Sequence, residues 1–425
     1  MLTVSLGLIT AALQQPAVLT LEEALAMADR NAFSIRIAQL NRDKAKSKIS
    51  ESKGAQGFRL GATTTYNRFD RELTANLGSS TITTRAIDSL QSQLALSLPI
   101  DLSGTLSAIV AASAAFYEAS ALDLDATRNS VRFDTRQGYF QILQAQRALA
   151  IYQDALKLAQ ERERVVAVQL QEGAVAKVDL LRAQTQTSQT KTDLLIAENN
   201  LQLAKAALNQ LLARPANTAF EIQEPSEPTT IESSEDEILQ AALNSRPEIR
   251  ALDQRGKGLS KITKSQRGGL APSLNFSLQY THDWKAEGFS ASANTTVGVL
   301  SLAVPILDSG ITKSRVDQAK KDEQILQVQR AQAVNGISLE VNQALTNFKN
   351  AKSRVEVGAQ QVATAEENYR LAKLKTEEGE GINLEVIDAQ NALTAARVGL
   401  ANAQYELQVA VAAIRRAIGS DQVQK

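Results

Sequence analysis

The sequence predicts an α+β membrane protein in which several chains pool their strands into one β-barrel; three chains would give a twelve-stranded barrel that continues into a twelve-helix α-barrel. Two patterns lead to the prediction of pooled hairpins and long helices. The chain is an internal duplication, and each copy places an amphipathic β-hairpin before a long proline-free stretch. Each protomer is therefore expected to repeat the order helix, β-hairpin, long helix, helix.

Composition narrows the possible functions. The 425 residues contain 46 acidic and 46 basic side chains, no cysteine and one histidine. Without cysteine there are no disulfides, thiolate metal sites or catalytic thiols. Balanced charge without a basic block gives no sign of a nucleic-acid partner. No cluster of catalytic groups or phosphate-binding loop is visible, so the sequence argues against an enzyme and predicts no cofactor or metal site.

The first seventeen residues are predicted to be a signal peptide. The segment MLTVSLGLITAALQQPA has an apolar run of the right length, which is too short to span a bilayer. Pro16 and Ala17 suit the neighbourhood of a cleavage site, although the usual positive residues at the start are missing. An apolar N-terminal strand or helix is the alternative. No later segment has about 18 uninterrupted apolar residues, so no transmembrane helix is expected.

The duplication shows as matching segments held at a constant spacing. LPIDLSG at 98–104 matches VPILDSG at 304–310, and EGAVAKVDLLRAQ at 172–184 matches EGEGINLEVIDAQ at 378–390, both 206 residues apart. Nearer the start of each copy, LEEALAMADRN resembles EDEILQAALNS at a spacing of 214. The copies should therefore differ by eight residues where the strands lie. We assign 18–213 to the first repeat, 214–234 to a linker, 235–419 to the second repeat and 420–425 to a tail.

Proline and glycine positions delimit the predicted helices. No proline occurs between Pro99 and Pro215 or after Pro305, and proline inside a helix costs about 3 kcal/mol. Glycines at 173 and 379 suit helix ends. The predicted helical hairpins span about 104–213, with helices at 104–172 and 178–213, and about 310–418, with helices at 310–378 and 384–418.

Both long helices carry apolar and small residues at a seven-residue spacing. In the second repeat this series includes Phe348, Val355, Val362 and Tyr369. Such spacing is typical of coiled-coil packing along the whole helix. One long antiparallel coiled coil in a structural protein would explain the pattern equally well.

The β-hairpins are predicted at about 58–99 and 271–306. In SLNFSLQYT, residues 273–281, apolar and polar side chains alternate with the two-residue period of a strand. We expect polar loops at ANLGSSTITT and HDWKAEGFSASANTT, and the aromatic side chains of Tyr280 and Trp284 at the outer membrane interface. The remaining predicted apolar strand positions are Phe58, Leu60, Ala62, Thr64 and Tyr66, returning through Leu90, Leu94, Leu96 and Leu98, and in the second hairpin Leu300, Leu302, Val304 and Ile306.

The number of strands in one chain determines whether the hairpins can form a closed barrel. Four strands cannot close a barrel, for which about eight are needed, and an open sheet edge in lipid leaves backbone groups unsatisfied. Either the hairpins are water-soluble and packed against something else, or several chains pool their strands. The soluble alternative needs a second surface to cover Leu274, Phe276 and Leu278, and the sequence offers no candidate for it.

In this order, the features resemble the TolC-type outer-membrane efflux proteins over essentially the whole mature chain. The resemblance rests on LTLEEALAMADRN, on the strand-to-helix joints PIDLSG and PILDSG, and on the helical turns EGAVAKVDLLRAQ and EGINLEVIDAQNAL. It implies a homotrimer in a Gram-negative outer membrane, with an α-barrel in the periplasm that narrows to a closed tip. It also implies an exit duct for a tripartite efflux pump or a type I secretion system. Drugs, metal ions and proteins remain open as substrates.

The resemblance also implies partners and functional residues. A periplasmic adaptor (membrane fusion protein) and an inner-membrane transporter are the expected protein partners, and outer-membrane lipid is the expected surrounding. The helical turns would form the tip, and the constriction carboxylates of the family fall on Glu385 and Asp388. Adaptor docking is expected around Gly173, Lys177, Val178, Asp179, Gly379, Gly381 and Leu384.

The acidic side chains at the predicted constriction have a second possible role. Glu385 and Asp388 share a helix face, and three chains would converge six carboxylates into a cation-favouring ring. However, acids in the first turn also stabilise a helix through its dipole, and Asp179 fits that alternative well. Where the family carries a latching Tyr and Arg, this chain has Thr376 and Gly381. We therefore expect the closed state to be held differently.

A periplasmic coiled-coil structural or adaptor protein is the alternative function. Adaptors of these pumps also contain long helical hairpins, but a β-rich lipoyl-like domain flanks them. The present sequence shows a helical hairpin in each half and no sign of such a domain.

Overall fold

The computed structural model describes residues 18–225, 234–285 and 292–419. The predicted signal peptide, the middle of the linker, part of the second hairpin loop and the tail lie outside the described residues. The helices are α1 Leu21–Asn31, α2 Phe33–Gly54, α3 Thr105–Gln171, α4 Lys177–Leu211, α5 Glu235–Ser245, α6 Pro247–Arg267, α7 Ile311–Glu377 and α8 Asn383–Ile418. The strands are β1 Val18–Leu19, β2 Arg59–Arg68, β3 Leu73–Leu77, β4 Ser80–Arg85, β5 Asp88–Ile100, β6 Glu221–Ile222, β7 Ser273–Asp283 and β8 Asn294–Ala303.

The two repeats have closely matched elements. Helices α3 and α7 each contain 67 residues, and α1 and α5 each contain 11. The long-helix ends lie within two residues of the predicted ones. Both short helices also begin with the same capping box, in which Thr20 pairs with Glu23 and Ser234 pairs with Glu237. Such boxes satisfy backbone N–H groups that the first turn leaves free.

The eight-residue difference between the repeats lies in the loop of the first hairpin. The prediction of a polar loop at ANLGSSTITT was wrong, because these residues belong to the hairpin formed by β3 and β4. Gly78 adopts a positive φ of 64° in the two-residue connection, as tight hairpin turns require. The run Thr81–Ile82–Thr83 supplies branched side chains that favour a strand.

The main sheet contains four antiparallel strands in the order β2-β5-β7-β8. The register aligns apolar side chains on one face: Leu96 of β5 lies opposite Leu60 of β2 and Leu278 of β7. The other face carries hydroxyl and amide groups, and Gln93 Nε2 donates to Gln279 Oε1 at 3.2 Å. The sheet therefore has an apolar face and a polar face, and β2 and β8 are its edges.

Some predicted strand residues lie outside the strands. Strand β2 begins at Arg59, immediately after Phe58, and β8 ends at Ala303. Val304 and Ile306 were predicted to continue the return strand, but they lie beyond its end. Pro305 explains the early end, since proline lacks the backbone N–H that the ladder needs.

One of two compact units contains the strands β2 to β5, β7 and β8, and it comprises residues 39–123 and 248–333. Its helical segments form a row joined by side-chain contacts. The row runs from α2 to α3 (Ser52 to Ser113, 2.8 Å), from α3 to α6 (Asp123 to Arg255, 2.5 Å) and from α6 to α7 (Asp253 to Arg330, 2.6 Å). At the two ends of the row, Leu40 on α2 and Ile325 and Val328 on α7 are more than half exposed. The helix row is thus open at both flanks, as the sheet is.

Helix α3 is the described helix whose length and composition would allow a membrane crossing. This differs from the sequence prediction, which required an uninterrupted apolar run; α3 contains a stretch in which serine, threonine and alanine accompany the larger apolar residues. Only 22% of its most apolar stretch is buried within the chain. The core helices of soluble proteins can have the same length and composition, so these two properties do not by themselves establish a membrane crossing.

Among the described residues, the other unit comprises 18–38, 124–225, 234–247 and 334–419. Tyr139 is fully buried in its core, and its hydroxyl lies 2.6 Å from Gln223 O, 2.9 Å from Leu19 O and 3.2 Å from Gln223 N. Burial raises the pKa of Tyr139. The hydroxyl therefore joins α3 to the parallel pair of β1 and β6.

The C-terminal end of α8 is held by side chains from the start of the second repeat. The guanidinium of Arg246 donates to Ala417 O at 3.0 Å and to Arg416 O at 3.2 Å, and it pairs with Glu340 at 2.7 Å. Carbonyls in the last turn of a helix are not all satisfied within it, although Arg416 O also accepts from Gly419 N at 2.9 Å. A cation at this end is also stabilised by the helix dipole. Both compact units thus draw on both sequence repeats, so neither repeat is a compact unit by itself.

Candidate functional site

The tip turns are residues 172–176, between α3 and α4, and residues 378–382, between α7 and α8. In both turns, the backbone ends the preceding helix with the same two hydrogen bonds. In the first turn, Gly173 N donates to Leu170 O and Ala174 N donates to Gln169 O. In the second turn, Gly379 N donates to Thr376 O and Glu380 N donates to Lys375 O. Gly173 and Gly379 have φ values of 75° and 82°. Only glycine adopts this left-handed conformation at no steric cost, which explains its presence in both turns.

The second turn is tighter than the first. Gly381 N donates to Lys375 O at 2.9 Å, and a Cβ added to Gly381 would lie 2.8 Å from Thr376 Oγ1. A larger residue at 381 would therefore require the turn to move. Thr376 and Gly381 stand where the family carries its latching residues. The Thr376 hydroxyl donates to Ala372 O in its own helix at 2.8 Å, and Gly381 has no side chain.

The predicted constriction carboxylates differ in their surroundings. Glu385 Oε2 lies 3.3 Å from Lys375 Nζ, and both side chains are about half exposed. Asp388 is exposed, and within the part of the chain that the structure describes its carboxylate has no ion-pair partner. Asp179, in the first repeat, lies 3.8 Å from Arg182 one turn later. Exposed pairs of this kind contribute little to stability, about 0–1 kcal/mol, so these acids are available for other roles.

The predicted docking residues are mostly accessible. Lys177, Val178 and Leu384 are exposed at the starts of α4 and α8. Neither helix has a side-chain cap, because Ala176 and Ile382 occupy the capping positions. The apolar side chains Leu181 and Ile382 are also more than half exposed there. The tip turns therefore present apolar side chains together with uncapped backbone N–H groups.

A buried polar junction connects the two tip turns of one chain, and the sequence did not predict it. Asn383 is 5% exposed. Its Oδ1 accepts from Arg162 Nε at 2.6 Å, and its Nδ2 donates to Asp179 O at 3.2 Å. The side chain thus links α8 to α3 and α4. A polar residue immediately after the second turn was the available signal, but its partners lie in the other repeat.

Amide side chains continue this contact along α8. Gln390 is 3% exposed, and its Nε2 donates to Ala155 O on α3 at 3.1 Å. Asn391 and Gln186 exchange two hydrogen bonds, at 2.7 and 3.1 Å, between α8 and α4. Polar residues at buried helix positions fix the register of neighbouring helices, and here they fix the second hairpin against the first.

The predicted membrane-interface residues lie at one end of the sheet and have polar partners. Tyr280 Oη donates to Asn294 Oδ1 at 2.7 Å, and Trp284 Nε1 donates to Ser92 Oγ at 2.9 Å. The ring of His282 contacts Trp284 edge-on, with centroids 4.5 Å apart. Tyr66 on β2 donates to Asp88 at 2.8 Å and extends the group. Amphipathic rings of this kind suit the headgroup region of a membrane.

Among the described residues, no group of three or more His, Asp or Glu side chains could hold a metal ion.

Comparisons with known proteins cover the helices and strands described above. A family model described as outer membrane efflux protein matches residues 24–214 and 238–420. The cobalt-zinc-cadmium resistance protein CzcC of Cupriavidus metallidurans is 23% identical over 414 residues, covering 94% of this chain and 90% of that protein.

Solved structures share the fold. A crystal structure of CusC superposes with a TM-score of 0.81 at 20% identity, covering 94% of this chain and 92% of that chain. The outer membrane protein VceC from Vibrio cholerae gives a TM-score of 0.79 at 18% identity, covering 94% and 96%. These matches span both the helical hairpins and the strands.

Proposed function

The chain belongs to the outer membrane efflux protein family, as the sequence resemblance predicted, and we propose that three copies form a passive exit duct of a tripartite pump or secretion system. The family consists of outer-membrane efflux proteins rather than enzymes. The finer proposal, a homotrimer gated at its tip turns, is supported by the geometry of the sheet and the tip.

The observation that carries the proposal is the open sheet. Strands β2 and β8 have partners on one side only, and Leu60 on β2 and Leu300 on β8 are about two-thirds exposed on the apolar face. Lipid cannot satisfy an open edge, and four strands cannot close into a barrel. Because β2 and β8 run in opposite directions, β8 of one copy can pair with β2 of the next in the antiparallel pattern of the sheet. Such head-to-tail pairing closes into a ring.

The polar face favours three copies over two. Eight strands leave an interior that side chains fill, whereas larger barrels enclose a water-filled channel. Two copies would supply eight strands and three would supply twelve. The face with Gln93 and Gln279 needs water or polar partners, which a wide lumen supplies. The exposed apolar flanks of α2 and α7 in the same unit would be covered by neighbouring copies in the same cyclic arrangement.

The tip turns supply the proposed gate and docking surface. A periplasmic adaptor would bind the exposed residues around Val178 and Leu384 and deliver substrate from an inner-membrane transporter. Three copies of Glu385 and Asp388 would favour cations at the narrowest point. The pairing of Glu385 with Lys375 reduces that charge, so Asp388 would contribute more than Glu385. CzcC, by its name, acts in cobalt, zinc and cadmium resistance, which agrees with a cation-favouring constriction.

Recordings from purified protein in planar lipid bilayers test this function. Wild-type protein is expected to give stepwise insertions with cation preference. Glu385→Ala combined with Asp388→Ala should raise conductance, because the shorter side chains would widen the constriction. The pair should also lower the cation-to-anion permeability ratio on the order of tenfold, because clustered charge concentrates counter-ions to about that extent. Lys375→Gln should shift the ratio in the opposite direction.

A matched control removes two exposed acids that lie away from the tip turns, Glu198 and Glu356. This double alanine variant is expected to behave like wild type. If the tip and control variants show the same selectivity as wild type, Glu385 and Asp388 do not line the constriction. If the wild-type protein never conducts, the duct itself is refuted.

A further inference from the structure

The tip turns of one chain are joined by contacts that the family's latch positions do not provide. The Thr376 hydroxyl donates to Ala372 O within α7, and Gly381 has no side chain, so neither provides a side-chain bond to the first hairpin. The contact between hairpins nearest the turns is instead the junction of Arg162, Asn383 and the backbone carbonyl of Asp179.

We propose that this junction is the latch that holds the duct closed: Asn383 fastens the second tip turn to the first, and Arg162 orients Asn383. The proposal rests on the proposed function, because it assigns the closed state of that channel to particular residues. Arg162 and Asn383 are positioning residues, and neither needs to touch the transported substrate.

The geometry of Asn383 makes it suited to this task. Its amide oxygen and nitrogen have different partners on different helices, at 2.6 Å and 3.2 Å. The Asp179 carbonyl can accept a second bond because it has two lone pairs. A hydrogen bond from a charged donor is among the stronger ones, and burial at 5% exposure protects it from competition by water. Separating the two hairpins at the tip would break both bonds.

The burial and incomplete hydrogen bonding of Arg162 make the closed junction easier to break. Burial lowers the pKa of Arg162, while Tyr369 and Glu377 on α7 partly oppose the shift. Its second guanidinium nitrogen, Nη2, is buried without a hydrogen-bond partner among the described residues. An unpaired buried donor is unfavourable. A movement of α7 that brought the carboxylate of Glu377 to Nη2 would satisfy this donor.

The other amide contacts determine where the opening movement begins. Gln390 and Asn391 bind α3 and α4 about two turns further from the tip than Asn383. With these bonds intact, loss of the Asn383 contacts would free the ends of α7 and α8 first. The opening movement is therefore expected to begin at the second tip turn and to leave the upper part of α8 in register.

Bilayer recordings of single substitutions test the latch. Asn383→Ala removes both bonds, and Arg162→Gln removes the charged donor from the other side of the junction. Each is expected to raise the open probability about tenfold, since one hydrogen bond to a charged group shifts a two-state equilibrium by roughly that factor. Matched controls are Asn368→Ala, an exposed amide on α7, and Arg164→Gln, an exposed arginine two residues from Arg162; both should behave like wild type.

A reversible cross-link gives an independent readout. The chain contains no cysteine, so the double variant Asp179→Cys, Asn383→Cys introduces a single possible disulfide across the junction. Oxidised protein is expected to conduct no more than wild type, and reduction by a thiol should raise conductance to the level of Asn383→Ala. Heat-resistant oligomers measured on the same preparations show that each variant is assembled.

The outcomes separate the latch from the duct. Assembled Asn383→Ala and Arg162→Gln proteins that insert and conduct like wild type would overturn the latch and leave the duct intact. Equal conductance of the cross-linked variant before and after reduction would do the same. Wild-type protein that inserts but never conducts, in any variant, would overturn both.

Discussion

Arginine in place of Leu278 is expected to prevent stable insertion of the protein into membranes. Leu278 lies in the middle of β7 on the apolar face, opposite Leu96 on β5 and Gly298 on β8. If this face meets lipid, an arginine at mid-depth costs about 2–4 kcal/mol per chain, and every copy in an assembly carries that cost. The free energy of folding into lipid vesicles, measured by denaturant titration, should fall by that amount per chain.

The neighbouring residue supplies the control. Ser277 precedes Leu278 on the same strand and points to the opposite, polar face, where it pairs with Ser97 and Val299. Ser277→Arg should fold and assemble nearly as well as wild type, because the new charge faces water. Equal folding of the two arginine variants would show that the apolar face does not contact lipid.

Replacing Arg246 by methionine is expected to destabilise the unit that holds the tip turns. Arg246 is 5% exposed, and its guanidinium pairs with Glu340 and donates to two carbonyls in the last turn of α8. Breaking a fully buried pair costs about 3–5 kcal/mol. Because the Glu340 side chain is 34% exposed, water can take over part of its solvation, and we expect about 2–3 kcal/mol here. Thermal unfolding in detergent, followed by loss of helical circular dichroism, should occur several degrees lower.

Arg250→Met is the matched control for this prediction. Arg246 lies between α5 and α6, and Arg250 is exposed in the first turn of α6, four residues later. The substitution removes the same charge and adds the same side chain without breaking the contact to α8, so the unfolding temperature should stay near that of wild type. Equal losses for the two variants would mean that the contact at the end of α8 contributes little to stability.

The helical elements could be predicted from the sequence because local chemistry determines their ends. Proline is absent from both long stretches, and Gly173 and Gly379 supply the left-handed conformation that ends α3 and α7. Because matching segments of the two repeats have a constant spacing, a helix end found in one repeat also located the corresponding helix end in the other. The alternation in β7 was equally informative, because its two-residue period needs no knowledge of its partners.

The features that could not be predicted depend on partners distant in sequence. Asn383 binds Asp179 and Arg162 from the other repeat, and no periodicity marks such a pair. The hydroxyl of Tyr139 joins β1 to β6, two strands too short to show a pattern. The hairpin of β3 and β4 was missed because its threonine-rich sequence looks polar, although threonine favours strands.

The arrangement of the units also required the structure. Sequence similarity divides the chain into a first and a second repeat, whereas each compact unit combines segments from both. This follows from the contacts: α3 packs with α6 through Asp123 and Arg255, and α8 packs with α3 and α4 through its amides. Such interleaving means that neither repeat can bury its own apolar surface alone.

Native mass spectrometry of the detergent-solubilised protein tests the central claim most directly. If β2 and β8 are edges that neighbouring copies must cover, the protein should be released from its detergent micelle as a complex of three chains. A single chain that stays soluble when the detergent is removed, with its apolar sheet face covered by its own residues, would contradict the account.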